Sequence, residues 1–277
     1  MVLQSIREAF SLLRSMPVLW LTGIATGLLG ASDILLTVWG EPFFSERMWI
    51  LQIILLPFFV SGSYGVIRAD DGRLSTYIRE GFAHYFAVLL PGILIFFAVL
   101  LTIFIVLIPL TLAGIPGDIG LLTLISAGVI VPMLFFTFFY DTAAVFQEKK
   151  VFDSLLESIR FVVAHPGKTT VFIITALALF VIIGLLGTLL LAATLAGHLE
   201  PLTMMSQAEL DALAPADLLG MLGTSGIWTA VGVYFGIIAL FSAIFYPFKA
   251  VFYRTNVLVL PVQPEGEYDE KGRWFKY

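Results

Sequence analysis

Long apolar runs separated by short polar segments dominate the pattern of hydrophobic and polar positions along this chain. A helix needs roughly 20 apolar residues to cross the hydrocarbon core of a bilayer. Six runs approach or exceed that length: Val18–Trp39, Met48–Ile67, Phe86–Ala113, Ile119–Phe146, Thr169–Gly197 and Ile227–Phe248. The tight turn Gly114–Asp118 between the third and fourth runs favours a helical hairpin. The pattern predicts an all-α membrane protein with six transmembrane helices.

A one-sided helical pattern precedes the first, third and fifth runs. Apolar residues recur there at spacings of three and four, and charged residues occupy the opposite face. The three segments are residues 2–13, 74–85 and 151–163. Helices of this kind lie in the membrane interface with the apolar face towards the hydrocarbon. We therefore predict three amphipathic interfacial helices on one side of the membrane.

A short repeat accompanies these helices. The segment Ile6–Phe10 recurs with one change as Ile78–Phe82, and a weaker third copy begins at Ser158. Each copy precedes a run that leaves the same side of the membrane. We predict one polytopic domain, residues 1–255, built from parallel units. The units cover about 1–68, 74–147 and 151–255. The alternative is chance similarity among amphipathic helices.

The basic residues are distributed unequally between the two sides of the predicted bundle. If the N-terminus lies inside, 14 of the 15 Lys and Arg residues fall in inner segments and only Arg47 falls outside. The positive-inside rule therefore places both termini in the cytoplasm. Trp20, Trp39, Trp49 and Trp228 lie near predicted span ends, as in an aromatic belt. No cleavable signal peptide is evident, so we expect an uncleaved first anchor in the cell membrane.

Composition narrows the class of function. The chain has 277 residues, of which 59% are hydrophobic and 13% charged, whereas soluble domains carry about 25% charged residues. This composition argues against a soluble enzyme, and a net charge of −5 argues against a nucleic-acid-binding protein. The chain has no cysteine, and its histidines follow no zinc-binding spacing. We expect no cofactor and no metal site. The three histidines are His84, His165 and His198.

Two carboxylates fall inside predicted spans. Asp141 lies near the inner end of the fourth run, and Asp33 lies near the outer end of the first. Because a charge is costly to bury in a bilayer, each is a candidate proton site, cation site or ligand contact. The alternative for Asp33 is a hydrated helix end. The alternative for Asp141 is an interfacial ion pair with Lys149, Lys150 or Arg68. The candidate intramembrane polar site comprises Asp141, Asp33, Ser61, Ser63 and Tyr140.

Small residues mark places where helices can approach closely. The segment Ser61–Gly65 resembles a serine-nucleophile motif, but it begins with Ser, follows no strand and has no positioned acid–histidine pair. We interpret it as a packing or kink site below Pro57. Two pairs with GxxxG spacing, Gly23–Gly27 and Gly232–Gly236, also favour close helix packing.

Two polar segments lie outside the spans. The loop 200–225 contains a capping box at Ser206–Glu209, which predicts one or two short outer helices. A lid over an outer cavity is the alternative for this loop. Residues 256–277 predict a partly extended cytoplasmic tail whose terminal aromatic residues can dock on the membrane surface.

One local pattern carries a resemblance to known proteins. The segment Phe139–Ala144 reads FYDTAA, and an amphipathic helix with Ser-Ile-Arg follows over Phe152–Phe161. In this order of elements the chain resembles uncharacterised six-helix membrane families common in archaea and bacteria. These are akin to the membrane domain attached to some glycerophosphodiester phosphodiesterases. The resemblance covers most of the chain and implies the same fold. It implies no activity, because this chain has no phosphodiesterase domain, and it transfers no site residues.

The sequence favours a non-enzymatic membrane protein that interacts with lipids or partner proteins. Membrane lipids are the expected partners, and a homo-oligomer or a membrane-protein partner stays open. The alternative is a small-solute or lipid permease with a cavity near Asp141. Few polar residues lie at mid-membrane depth, which argues against transport of a polar solute. A lipid-modifying enzyme is the third interpretation. The predicted headgroup contacts are Arg7, Arg14, Arg79, Lys149, Lys150 and Arg160.

Overall fold

The described part of the molecule is almost entirely helical. The computed structural model describes residues 2–112, 119–203, 205–206, 215–257, 266–268 and 274–276. The helices are α1 (Val2–Ser15), a 3-10 turn (Pro17–Leu19), α2 (Trp20–Val38), α3 (Pro42–Ser45), α4 (Met48–Ala69), α5 (Leu74–Leu112), α6 (Ile119–Thr137), α7 (Tyr140–Phe146), α8 (Val151–Ala164), α9 (Pro166–Thr203) and α10 (Pro215–Val257). Two short strands, β1 (Gly266–Tyr268) and β2 (Trp274–Lys276), pair antiparallel.

Six helical segments within the described residues are long and apolar enough to cross a bilayer. They are Pro17–Val38, Phe43–Ala69, Leu74–Leu110, Gly120–Phe146, Pro166–His198 and Leu219–Val257. Each overlaps one run predicted from the sequence, so the prediction of an all-helical protein with six candidate spans is confirmed. The predicted turn Gly114–Asp118 lies wholly outside the described residues. The predicted capping box Ser206–Glu209 lies outside them in part.

Helix α10 is the centre of the bundle. It packs against α1, α2, α4, α7 and α9, whereas α6 packs mainly against α5 and α8. One buried cluster surrounds Tyr64 of α4. The second is aromatic and joins α7, α8, α9 and α10. Its fully buried rings belong to Phe139, Phe161, Phe172, Phe248, Phe252 and Tyr253.

Several chain segments meet at one end of the bundle, which we call the terminal end. Arg254 near the end of α10 forms an ion pair with Glu8 of α1. Arg68 near the end of α4 forms an ion pair with Glu148 in the segment that follows α7, at 2.7 Å. The opposite end, which we call the far end, carries α3. Both described chain ends of the helical bundle therefore lie at the same end.

The second predicted interfacial segment is not a separate helix. Helix α5 continues without interruption from residue 74 into the third span, because its first proline is Pro91. By contrast, Pro17 and Pro166 stand at the start of the helical segments that follow α1 and α8. Proline is tolerated there because the first turn of a helix lacks internal partners for its N–H groups. The three-unit repeat, the amphipathic role of these helices and the cytoplasmic orientation stay predictions.

Asp71 stabilises the turn between α4 and α5. Its carboxylate accepts hydrogen bonds from the Arg73 guanidinium at 2.8 Å and from the Thr76 hydroxyl at 2.6 Å. These bonds, that of Arg73 first, hold the pKa of Asp71 well below its usual range. The turn therefore keeps a carboxylate at the start of α5 and ties it to the first turn of that helix.

Candidate functional site

The fourth span is broken close to its carboxylate. The sequence predicts one run over Ile119–Phe146, but α6 ends at Thr137 and α7 begins at Tyr140. Phe138 and Phe139 form a turn between the two helices. A break in a helix at membrane depth is tolerated only where other protein groups form hydrogen bonds with the backbone N–H and C=O groups that lose their helical partners. The break therefore requires partners from outside the fourth span.

Ser158 of α8 provides those partners. Its hydroxyl accepts a hydrogen bond from the Phe139 N–H at 2.9 Å and donates one to the Phe136 carbonyl at 2.9 Å. One side chain thus joins both sides of the break. Ser158 belongs to the third copy of the sequence repeat, but its role depends on a helix contact that the linear pattern does not indicate.

Replacing Ser158 with Ala is expected to lower the free energy of unfolding by about 1–3 kcal/mol, because the buried Phe139 N–H and the partly buried Phe136 carbonyl lose a hydrogen-bond partner. Unfolding of the purified protein in detergent measures the change. Ser154→Ala is the matched control, because the Ser154 hydroxyl donates only within its own helix, to Val151. Equal losses in the two variants would contradict the bridging role of Ser158.

Asp141 lies in the first turn of α7 and forms a buried ion pair. Its Oδ2 accepts hydrogen bonds from Lys249 Nζ at 2.8 Å and from the Tyr64 hydroxyl at 3.2 Å. Its Oδ1 accepts one from the Thr142 N–H at 2.7 Å. The Asp141 and Lys249 side chains are 9% and 7% exposed. The pair joins the fourth and sixth spans inside the bundle.

The partner of Asp141 differs from the sequence prediction. The sequence places Lys249 among the inner basic residues, but α10 continues to Val257 and keeps Lys249 inside the bundle. The apolar stretch Ala250–Tyr253 after Lys249 is the sequence signal for this continuation. The alternative in which Asp141 forms an ion pair at the membrane interface is therefore wrong. Asp141 pairs with none of the three residues expected from the sequence: Lys149, Lys150 and Arg68.

A cavity of about 410 Å³ ends at Asp141. It follows α4 over Trp49–Val60, about 16 Å at 1.5 Å of rise per residue. Tyr140 and Tyr246 line it together with Asp141, and the remaining wall is apolar apart from Gln52. Its volume falls within the range of small-molecule sites, roughly 300–1,000 Å³. We call it the Asp141 cavity.

The other predicted polar residues do not line the Asp141 cavity. Asp33 accepts a hydrogen bond from Ser45 of α3 at 2.8 Å, at the far end of the bundle. Ser61 donates to the Pro57 carbonyl of its own helix at 2.6 Å. The Ser63 hydroxyl is buried and has no hydrogen-bond partner among the described residues. Of the predicted polar set, the structure places only Tyr140 beside Asp141 in the cavity wall.

A second pocket, of about 730 Å³, lies at the terminal end. We call it the terminal pocket. Ala144, one turn along α7 from Asp141, lies in its wall, and His84 of α5 lines it from the other side. Its charged side chains come from the end of α4, from the start of α5 and from the segment that follows α7. They are Arg68, Arg79, Glu80, Glu148, Lys149 and Lys150.

The charges of the terminal pocket are unevenly compensated. Arg68 donates to Glu80 at 2.9 Å and to Glu148 at 2.7 Å. Lys149 and Lys150, in contrast, form no ion pair with any described residue. Four cationic side chains face two carboxylates, so the pocket carries an excess of positive charge.

The structure gathers half of the predicted headgroup contacts in the terminal pocket: Arg79, Lys149 and Lys150. The remaining three lie elsewhere. Arg7 is exposed on α1, Arg14 lines a separate apolar groove, and Arg160 pairs with Glu157 at 3.7 Å. Sequence reasoning missed Arg68 as a member of this pocket, because it follows directly on the second span.

Comparison with known proteins gives a family and no activity. No curated protein and no solved structure matches the chain. One family model matches residues 1–256, which is most of the chain. The match agrees with the expected membership of an uncharacterised family and names no phosphodiesterase. With its six apolar helices the chain is a multi-pass membrane protein, and it belongs to the DUF7847 family, a domain of unknown function.

Proposed function

We propose that this is a non-enzymatic protein of the cell membrane that binds anionic phospholipid in its terminal pocket. In this proposal both termini lie in the cytoplasm, so the terminal pocket faces the inner leaflet. The supporting observation is that four basic side chains of the terminal pocket meet an apolar wall on α5.

The basic rim suits a phosphate headgroup. Lys149 and Lys150 have no competing ion pair among the described residues, and Arg79, which pairs with Glu80 at 3.1 Å, keeps 69% of its side chain exposed. A Lys or Arg near an anionic leaflet contributes about 1 kcal/mol of attraction. Charge-assisted hydrogen bonds to phosphate oxygens add to this attraction.

The apolar wall suits an acyl chain. Phe86 and Leu90 stand one turn apart on α5, and both line the terminal pocket. Their side chains are 64% and 43% exposed, so the bundle leaves them uncovered. Phe86 is also the first residue of the predicted third span, where headgroups give way to hydrocarbon. A lipid with its phosphate on the lysines would place a chain along this wall.

The test compares lipid retention by two double variants. Protein in nanodiscs of equal parts phosphatidylglycerol and phosphatidylcholine is released for native mass spectrometry, and the bound phosphatidylglycerol is counted. Removing two charges with Lys149→Gln and Lys150→Gln is expected to weaken phosphatidylglycerol binding by about 2 kcal/mol, or roughly thirtyfold. The control Arg7→Gln with Arg14→Gln removes the same charge outside the pocket and should retain binding. Equal loss in both, or no preference for phosphatidylglycerol, would reject the proposal.

A permease for a small solute or lipid is the second candidate function. The Asp141 cavity supports it, because a sealed apolar bundle would exclude transport. The linings of this cavity and of the terminal pocket share no residue, and a partition that includes fully buried Ala144 separates them. Transport would require this partition to open. Measuring solute or lipid flux across proteoliposome membranes separates the two candidates. A permease produces flux, whereas lipid binding in the terminal pocket requires no flux.

A further inference from the structure

We infer that the Asp141 cavity is a binding site for a small apolar molecule with a primary ammonium group. The ammonium would lie at the Asp141 end and the apolar body would extend towards Trp49. This site is separate from the phospholipid site in the terminal pocket. The inference concerns recognition, and it holds whether or not the ligand crosses the membrane.

The ion pair is oriented so that its negative end faces the cavity. Asp141 lines the cavity, whereas Lys249 does not. Lys249 Nζ lies instead 4.4 Å from the centroid of the Phe138 ring. Among the described residues that line the cavity, Asp141 carries the only formal charge. At this depth charges are weakly screened, so a cation is favoured and an anion is repelled.

The polar groups at the Asp141 end match the donors of an ammonium. The hydroxyls of Tyr140 and Tyr246 make no hydrogen bond to described residues, and the Tyr140 oxygen lies close to Gly92, in the cavity wall. Asp141 accepts three hydrogen bonds, one fewer than the roughly four a carboxylate can accept. A primary ammonium has three donors, and three oxygen-bearing side chains line this end.

The rest of the wall suits an apolar, preferably aromatic, body. Trp49 and Phe96 line the cavity with ring centroids 5.9 Å apart. Aromatic faces attract an organic cation in addition to contacting its apolar part. Aliphatic side chains of α4 and α5 complete the wall. The cavity therefore combines one anionic end with an aromatic and aliphatic body.

Three probes of similar size and different charge test the inference: phenethylamine, 2-phenylethanol and 3-phenylpropanoate. Equilibrium dialysis measures their binding to the full chain in phosphatidylcholine nanodiscs, with empty nanodiscs subtracted. The amine is expected to bind saturably at one site and about tenfold or more tighter than the alcohol. The carboxylate is expected not to displace the bound amine, because an anion bound in the basic terminal pocket leaves the Asp141 cavity free.

Two variants locate the site. Asp141→Asn combined with Lys249→Met removes both charges and is expected to abolish the preference for the amine over the alcohol. Ile93→Phe adds a ring to the cavity wall, leaves the ion pair in place and is expected to reduce binding of both probes. Asp33→Asn is the control, since Asp33 lies outside the cavity, and it should keep the preference.

The inference is overturned if the amine shows no protein-dependent binding or if the three probes bind alike. It is also overturned if the amine preference survives in the charge-removed variant, or if Ile93→Phe leaves the binding of both probes unchanged. The phosphatidylcholine nanodiscs contain no anionic lipid, so the amine and alcohol results do not depend on phospholipid binding in the terminal pocket. Loss of phosphatidylglycerol retention and loss of amine binding are thus separate results.

Discussion

Replacing Lys249 with Met is expected to destabilise the protein by about 3–5 kcal/mol, the largest effect we predict for a single side chain. The substitution leaves the Asp141 carboxylate in a buried position without its counter-charge. Tyr64 and the Thr142 N–H still donate to it, but neither carries a charge. Chemical unfolding of the purified protein in detergent measures the loss.

The double variant shows whether the loss arises from the ion pair. Asp141→Asn in the Lys249→Met background removes the unpaired charge and is expected to recover most of the lost stability. Lys168→Met is the matched single control, because Lys168 donates to Asn256 at 3.1 Å and has no carboxylate partner among the described residues. A double variant as unstable as Lys249→Met would contradict this reasoning.

Replacing Gly23 with Ala is expected to destabilise the protein by about 1–3 kcal/mol through overpacking between α2 and α10. A Cβ atom at Gly23 would overlap the Ala239 carbonyl oxygen and stand 2.7 Å from the Ala243 Cβ. The carbonyl belongs to the backbone, so it cannot rotate away as a long side chain can. The two helices would have to separate. Thermal unfolding in detergent reports the change.

Gly236→Ala is the matched substitution in the second GxxxG pair. Apart from the adjoining backbone of its own helix, no described atom lies within 4 Å of a Cβ built at Gly232 or Gly236. The added methyl group therefore meets no resistance, and Ala is favoured over Gly in a helix by about 1 kcal/mol. We expect a neutral or slightly stabilising effect. Similar losses at Gly23 and Gly236 would show that the α2–α10 contact is not what restricts Gly23.

Hydropathy alone predicts the spans of this protein because bilayer thickness imposes a minimum length on each apolar run. It also identifies Asp141, since a carboxylate within such a run is rare enough to be conspicuous. The same approach cannot distinguish the two GxxxG pairs. Their spacing is identical, and only the packing of α10 decides that Gly23 touches a neighbouring backbone while Gly236 does not.

The break in the fourth span and the partner of Asp141 depend on contacts distant in sequence. Phe138 and Phe139 are both apolar, so no polar or turn-favouring residue in the sequence indicates the turn between α6 and α7. Its hydroxyl partner, Ser158, comes from another helix. Lys249 lies 108 residues beyond Asp141. The hydropathy pattern along the chain places each charged residue at the nearest membrane interface. Helix packing decides instead which charged residue of another helix it pairs with.

The separation of Asp141 and Lys249 in sequence also has a consequence for biosynthesis. Asp141 leaves the ribosome 108 residues before Lys249, so the fourth span reaches the membrane before its counter-charge exists. Until the sixth span arrives, the carboxylate has no counter-charge, and an unpaired charge is costly in the bilayer. A chain that stops before Lys249 keeps that exposed acid. The ion pair therefore marks completion of the bundle and distinguishes a finished chain from an unfinished one.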